Sequence, residues 1–175
     1  DGTDTEPNMY VGIIINRSLA DTTDSVTGLG DIHALVNAIG EMRRVAREAG
    51  FIAIKVDDIA EVNARFGFDA GDRVLAESAA CLMDCSRGKG RLFRSTGPTF
   101  VALFDELGPE AIDEIASEIE RFLGSPVLIG SLEYQPPIRV ATLHLDGVDR
   151  QPVSILNELK ALLEEAPQVP GTQLD

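Results

Sequence analysis

A chain of 175 residues, 44% of them hydrophobic, is the size of one globular domain and can bury a substantial core. Its 29 acidic residues against 15 basic ones give a formal net charge of -14, a surface that repels polyanions and argues against DNA or RNA as a partner. The longest apolar run, Val11 to Ile15, falls far short of the roughly 20 residues that span a bilayer, so no membrane insertion is expected from this segment. No signal-peptide pattern precedes that run. Asp1 in place of an initiator Met reads as the start of a segment cut from a longer protein, cytoplasmic here, whose other parts are free to carry a membrane anchor.

Residues 1–8 are polar, and Met9 to Ile15 is a short β-prone run closed by Asn16 and Arg17. A polar link, Asp21 to Asp24, leads to Asp31, which is placed to cap a helix running to about Ala49. Leu35, Val36, Ile39, Met42, Val45 and Ala46 repeat along it at helical spacing. Gly50 is expected to end that helix, and Phe51 to Val56 reads as a buried strand. Asp57 and Asp58 open a short helix through Phe66, residues 67–71 read as a turn, and Asp72 to Asp84 is helical again.

Within that last helix Cys81 and Cys85 share one face. A bare pair supplies neither a zinc ligand set nor a disulfide framework, so both read as buried, reduced core residues. Arg91 to Ser95 and Thr99 to Phe104 form a β-hairpin about a Thr96-Gly97-Pro98 turn, where Pro98 must sit. The densest basic group, Arg87, Lys89, Arg91 and Arg94, is enough for one phosphorylated ligand or is a solvated loop entering a strand.

Pro109 to Leu123 is an acid-rich amphipathic helix, Val127 to Leu132 and Ile138 to Leu145 are strands, and a helix from Val153 to Ala166 is stopped by Pro167 and Pro170. This order predicts one α/β (α+β) sandwich with a central mixed, mostly antiparallel sheet flanked by helices. His33 and His144 have no second histidine at ligand spacing and read as structural.

The run Asp24-Ser25-Val26-Thr27-Gly28-Leu29 resembles the Asp-x-Leu-Thr-Gly-Leu motif that opens GGDEF domains, the fold of bacterial diguanylate cyclases. In the same order follow Asp57, Asn63 and Phe66-Gly67-Phe68-Asp69-Ala70-Gly71-Asp72, similar to the family's Asn-x-x-Phe-Gly-His-x-x-Gly-Asp run. Arg94-Ser95-Thr96-Gly97-Pro98-Thr99-Phe100 then falls where the family has Arg-Tyr-Gly-Gly-Asp/Glu-Glu-Phe. The resemblance covers about residues 21–166 and implies a nucleotidyl cyclase-like sandwich with a signature hairpin. It divides the chain into a tail of residues 1–20, a degenerate GGDEF domain over 21–168 and a tail of 169–175. Met9 to Arg17 is similar to the last strand of a PAS sensor domain, which would place a sensory module upstream.

The resemblance implies a reaction in which two GTP molecules on facing domains join into cyclic di-GMP. Charge then builds on phosphate oxygens, and carboxylate-held Mg²⁺ must bridge them. The family's Asp-x-Asp pair reads here Lys55-Val56-Asp57, so an ammonium stands where the first ligand is expected. In the hairpin the acidic pair is Pro98 and Thr99, and Thr96-Gly97 stands for Gly-Gly. No catalytic residue and no cofactor are therefore expected, and Mg²⁺ enters only if the domain is active after all. Asp57 is the weak remaining metal candidate, and reads equally as an N-cap for the helix starting near Ile59. Lys55 reads either as a phosphate partner or as a strand-end lysine reaching water.

Asn63 and Asp72 match the family's guanine-binding pair; on their own they also read as a helix-terminating residue and an N-cap. The phosphate-clamping lysine of the last helix falls near Pro167. Arg87-Gly88-Lys89-Gly90 lies where the family's inhibitory site has Arg-x-x-Asp, with Gly90 at the Asp position, so that site is vestigial. Three readings follow. The domain is a non-catalytic signalling module acting through a homodimer or a partner signalling domain, or a module binding GTP or another guanine nucleotide without turnover. The third is an active cyclase with displaced ligands Asp57, Asp58 and Asp105.

Overall fold

The computed structural model describes residues 22–86, 88–123, 125–147 and 149–174. The expected strand at Met9 to Ile15 and Arg87 lie outside the described residues. Asp31 caps α1 (Ile32–Val45) as expected, its carboxylate accepting from the backbone N–H groups of His33 and Ala34. The helix stops four residues short of Ala49, because β1 (Glu48–Val56) claims Gly50 as an interior strand residue. The reason is packing. A Cβ at Gly50 would overlap the Ile112 side chain, so glycine here lets a neighbouring helix lie directly on the strand.

α2 (Ile59–Phe66) is followed, after Gly67 alone, by α3 (Phe68–Ser86), so the expected turn at 67–71 shrinks to one residue. β2 (Arg91–Arg94) and β3 (Thr99–Asp105) form the hairpin, with Pro98 in the turn. α4 (Pro109–Phe122) carries Ile112. The single strand expected at Val127 to Leu132 is a small hairpin of its own, β4 (Val127–Ile129) and β5 (Leu132–Tyr134), turning at Gly130. β6 (Ile138–Asp146) and α5 (Pro152–Glu165) complete the described elements.

The main sheet runs β2-β3-β1-β6, and each of its ladders is antiparallel; the isolated bridge Gly30–Phe93 is parallel. Strand alternation sends Ile52, Ile54, Phe100 and Phe104 to one face, where α3 and α4 bury them. Phe51, Ala53, Val101 and Ala141 go to the other, covered by α1 and α5. A strand buried on both faces reads as a continuous apolar run, which is what Phe51 to Ile54 is. No described helix is long and apolar enough to cross a membrane.

Candidate functional site

The hairpin end of the sheet holds the chemistry. Register sets Lys55 opposite Thr99 on one side and Arg139 on the other, one row beyond Ala53, Val101 and Ala141. These residues share parity, so all point to the face that α1 and α5 cover. Asp57 follows directly after β1 and is nearly buried. Its Oδ2 accepts from Arg139 Nε at 3.0 Å and from Gln168 Nε2 at 2.7 Å, and Lys55 Nζ stands 3.8 Å from its Oδ1. Arg139 also donates from Nη1 to the Ala166 carbonyl at 2.9 Å, tying β6 to the chain leaving α5.

Asp57 is therefore no N-cap. The residue before α2 is Asp58, whose side chain makes no cap hydrogen bond and whose φ is 64°. Nor does this corner fit a divalent cation. Mg²⁺ is held by hard oxygens, commonly one or two carboxylates together with phosphates and water, whereas here the one carboxylate is already engaged by a guanidinium and an amide and faces an ammonium. The hairpin adds nothing to it: Pro98 gives its carbonyl to Val56 N–H at 3.0 Å, and Gly97 gives its own to Arg94 Nε at 2.9 Å. Asp105 cannot join Asp57 and Asp58, because it lies opposite Ala49 at the far end of β1 and pairs with Arg91. Among the described residues, the one trio with ligand atoms in mutual reach is Glu48, His144 and Asp146, also at that far end, where His144 Nε2 is 2.9 Å from Glu48 Oε2.

The two outermost motifs bind each other. Asp24 Oδ2 accepts from Thr27 N–H at 2.9 Å and Thr27 Oγ1 at 2.7 Å, and its carboxylate meets Arg94 Nη1 at 3.1 Å. Burial pushes the Asp24 pKa up, but the Thr27 and Arg94 donors outweigh it and hold the carboxyl below its ordinary 3.8. A lowered folded-state pKa adds stability that is present above the unfolded value and lost as pH falls through the folded one. Asp24→Asn is thus expected to cost about 1–2 kcal/mol near neutrality and to flatten the loss of stability below about pH 4. Melting curves across that range check it; parallel acid limbs in the two proteins would contradict it.

Of the basic group near the hairpin, Arg87 lies outside the described residues and two members are already paired. Arg94 is held by Asp24, and Arg91 reaches Glu41 at 3.6 Å and Asp105 at 3.5 Å. Cys81 and Cys85 are free thiols and half-buried rather than buried; desolvation and each other's presence push Cys85 up to about 12, so it stays protonated and unreactive.

Asn63 and Asp72 come from the facing ends of α2 and α3. Asn63 Oδ1 is buried with no hydrogen-bond partner, and a Cβ at Gly71 would overlap it. Glycine at 71 thus clears the space into which this amide points. Asp72 lies inside α3, exposed, and caps nothing. Asn63 does not end α2 through its side chain: its carbonyl accepts from Gly67 N–H at 2.9 Å, and the helix stops at Gly67.

Between α1, α5 and the sheet lies a cavity of about 480 Å³. Its floor is Ala53 and Val101, and its mouth carries Lys55, Arg139, Thr99 and, from α5, Lys160. Arg139, Lys160 and Gln168 were not legible as site residues, since strand register and helix placement decide that they meet Lys55.

Residues 21–166 match the family described as "Diguanylate cyclase, GGDEF domain". The chain belongs to the GGDEF family. It is 29% identical over 119 residues to the cyclic di-GMP phosphodiesterase PdeR of Escherichia coli, a match covering 67% of this chain and 18% of PdeR. Its fold is that of the FimX GGDEF domain from Pseudomonas aeruginosa, with a TM-score of 0.77 at 16% identity, covering 83% of this chain and 93% of that one. Diguanylate cyclase SiaD from the same organism, solved with its activator SiaC, superposes with a TM-score of 0.78 at 20% identity over 90% of this chain and 62% of that one. Lys55, Arg139 and the clamped Asp57 thus lie together at one corner of this GGDEF domain, and Asn63 packs against Gly71 at another.

Proposed function

We propose that this GGDEF domain is a non-catalytic module of a cyclic di-GMP signalling protein, acting through a partner domain or a second copy rather than by condensing GTP. The observation that carries the reading is the clamp on Asp57: Arg139, Gln168 and Lys55 hold the last carboxylate of the Asp-x-Asp position, and positive charge stands where a metal would. That the matched segment is 18% of a protein named as a phosphodiesterase is consistent with a GGDEF unit serving another activity. Incubation with GTP and Mg²⁺ or Mn²⁺ is expected to give no cyclic di-GMP above a protein-free control. Product that forms with the metal and vanishes on chelation would overturn the reading.

A second reading, guanine-nucleotide binding without turnover, is favoured by the unpartnered Asn63 Oδ1, since leaving a buried acceptor unmade is costly and turning the amide away from Gly71 would offer it to guanine N–H donors. Calorimetry with GTP in metal-free buffer is expected to show weak saturable heat that Asn63→Ala removes. A flat wild-type trace would end this second reading and leave the first standing.

A further inference from the structure

The cavity between α1 and α5 is separate from the Asn63 corner. Ala53, Lys55, Thr99, Val101 and Arg139 project to the sheet face that α1 and α5 cover, whereas Val62 of α2 packs into the core on the opposite face. The cavity exists because its floor is small. Ala53, flanked across the sheet by Val101 and Ala141, leaves room beneath Leu156, Leu159 and Leu163 of α5 that a larger strand residue would fill. At about 480 Å³ it is within the range of pockets that take small organic ligands.

Its two ends differ in chemistry. The depth is aliphatic: Ile32, Ala53, Val101 and Leu159. The mouth gathers Lys55, Arg139 and Lys160 with the hydroxyls of Ser95, Thr96 and Thr99, in a chain whose net charge is -14. Arg139 is committed to Asp57, and Glu164 is the acidic residue on the rim. Lys160 makes no ion pair among the described residues, and Lys55, with its side chain 44% exposed, reaches Asp57 only at 3.8 Å. One unpaired ammonium, Lys160, and a second, Lys55, shared with Asp57 at 3.8 Å, thus line one opening above an apolar interior. That combination selects a molecule with an anionic head and an apolar body, because the head finds charge-assisted donors at the rim while the body leaves water.

We propose that this cavity binds a small amphipathic organic anion, a carboxylate, sulfonate or phosphate ester on an apolar or aromatic body, without a divalent cation. The proposal rests on the reading that Lys55 has displaced the metal, and it turns that corner from a vacated catalytic site into a ligand-sensing one. Lys160 and Lys55 hold the anionic head, Thr99 donates a hydroxyl to it, and the α5 leucines cover the body.

The probe is anilinonaphthalene sulfonate, whose fluorescence rises on entering an apolar site, with the uncharged N-phenylnaphthylamine as its neutral counterpart. In chelator-treated buffer the sulfonate is expected to bind saturably, one molecule per chain. Lys160→Met should weaken it by about tenfold, the loss of one charge-assisted contact, while N-phenylnaphthylamine binds both proteins equally, which also shows that the variant keeps its fold. Asn63→Ala should leave sulfonate affinity unchanged. Equal sulfonate affinities of wild type and Lys160→Met, or no saturable binding at all, would overturn the proposal. Neither result bears on cyclic di-GMP synthesis, so the non-catalytic reading stands or falls separately on product formation.

Discussion

Asp57→Ala is expected to destabilise the domain by about 2–3 kcal/mol, because it strands a partly buried guanidinium without its carboxylate. The Asp57 carboxylate holds Arg139 of β6 and Gln168 beyond α5, so one residue joins the end of β1 to an adjacent strand and to the C-terminal segment. That segment is further tied by Ile138 and Val169, which exchange backbone hydrogen bonds at 3.1 and 2.7 Å. A metal-ligand carboxylate behaves oppositely: surrounded by other carboxylates, its removal in metal-free buffer relieves repulsion and leaves stability unchanged or raised. Urea denaturation without added metal separates the cases. A midpoint for Asp57→Ala equal to or above wild type would show that the clamp is not a stabilising structure.

Gly50→Val is expected to cost about 3 kcal/mol or to prevent folding, since a branched side chain inserted into a filled core forces strain or backbone shift. Gly50 sits in the central strand β1, flanked by Phe104 of β3 and His144 of β6, and Ile112 of α4 occupies the space a Cβ would need. Displacing Ile112 lifts α4 from the sheet and opens the core that Ala116 and Ile119 share with α3. Chemical denaturation reads the effect directly. A wild-type midpoint in Gly50→Val would mean that α4 does not rest on β1 at this point.

Gly50 also marks where the sequence stops being legible. Local punctuation made it a helix terminator, since glycine after a periodic apolar run usually is one. Only the tertiary fact that Ile112 approaches from a helix some sixty residues later shows it to be a strand interior. Strands β3 and β6 and helices α1, α4 and α5 were readable because Pro or Asp marks their starts, and β1 because Phe51 to Ile54 is a continuous apolar run. The β4–β5 hairpin was not, because residues 127–132 form an unbroken run in which Gly130 alone marks the turn.

The site divides along the same line. Lys55, Pro98 and Thr99 were visible as departures from a motif, since motif positions are sequence positions. The partners that give them meaning were not. Arg139 meets Asp57 through strand register and Gln168 through the path of the chain beyond α5, and Asp72 lost its expected capping role because α3 begins at Phe68. Asp105, a carboxylate of suitable type, was excluded only by its position at the opposite end of β1.

The central claim, that the Asp57 corner holds cations of the protein's own in place of a metal, is tested most directly by Mn²⁺ titration in the presence of GTP, followed by electron paramagnetic resonance of the free ion. The account predicts no saturable Mn²⁺ site that depends on Asp57, so that wild type and Asp57→Asn give the same curve. A saturable site present in wild type, retained in Glu48→Gln and lost in Asp57→Asn would contradict it.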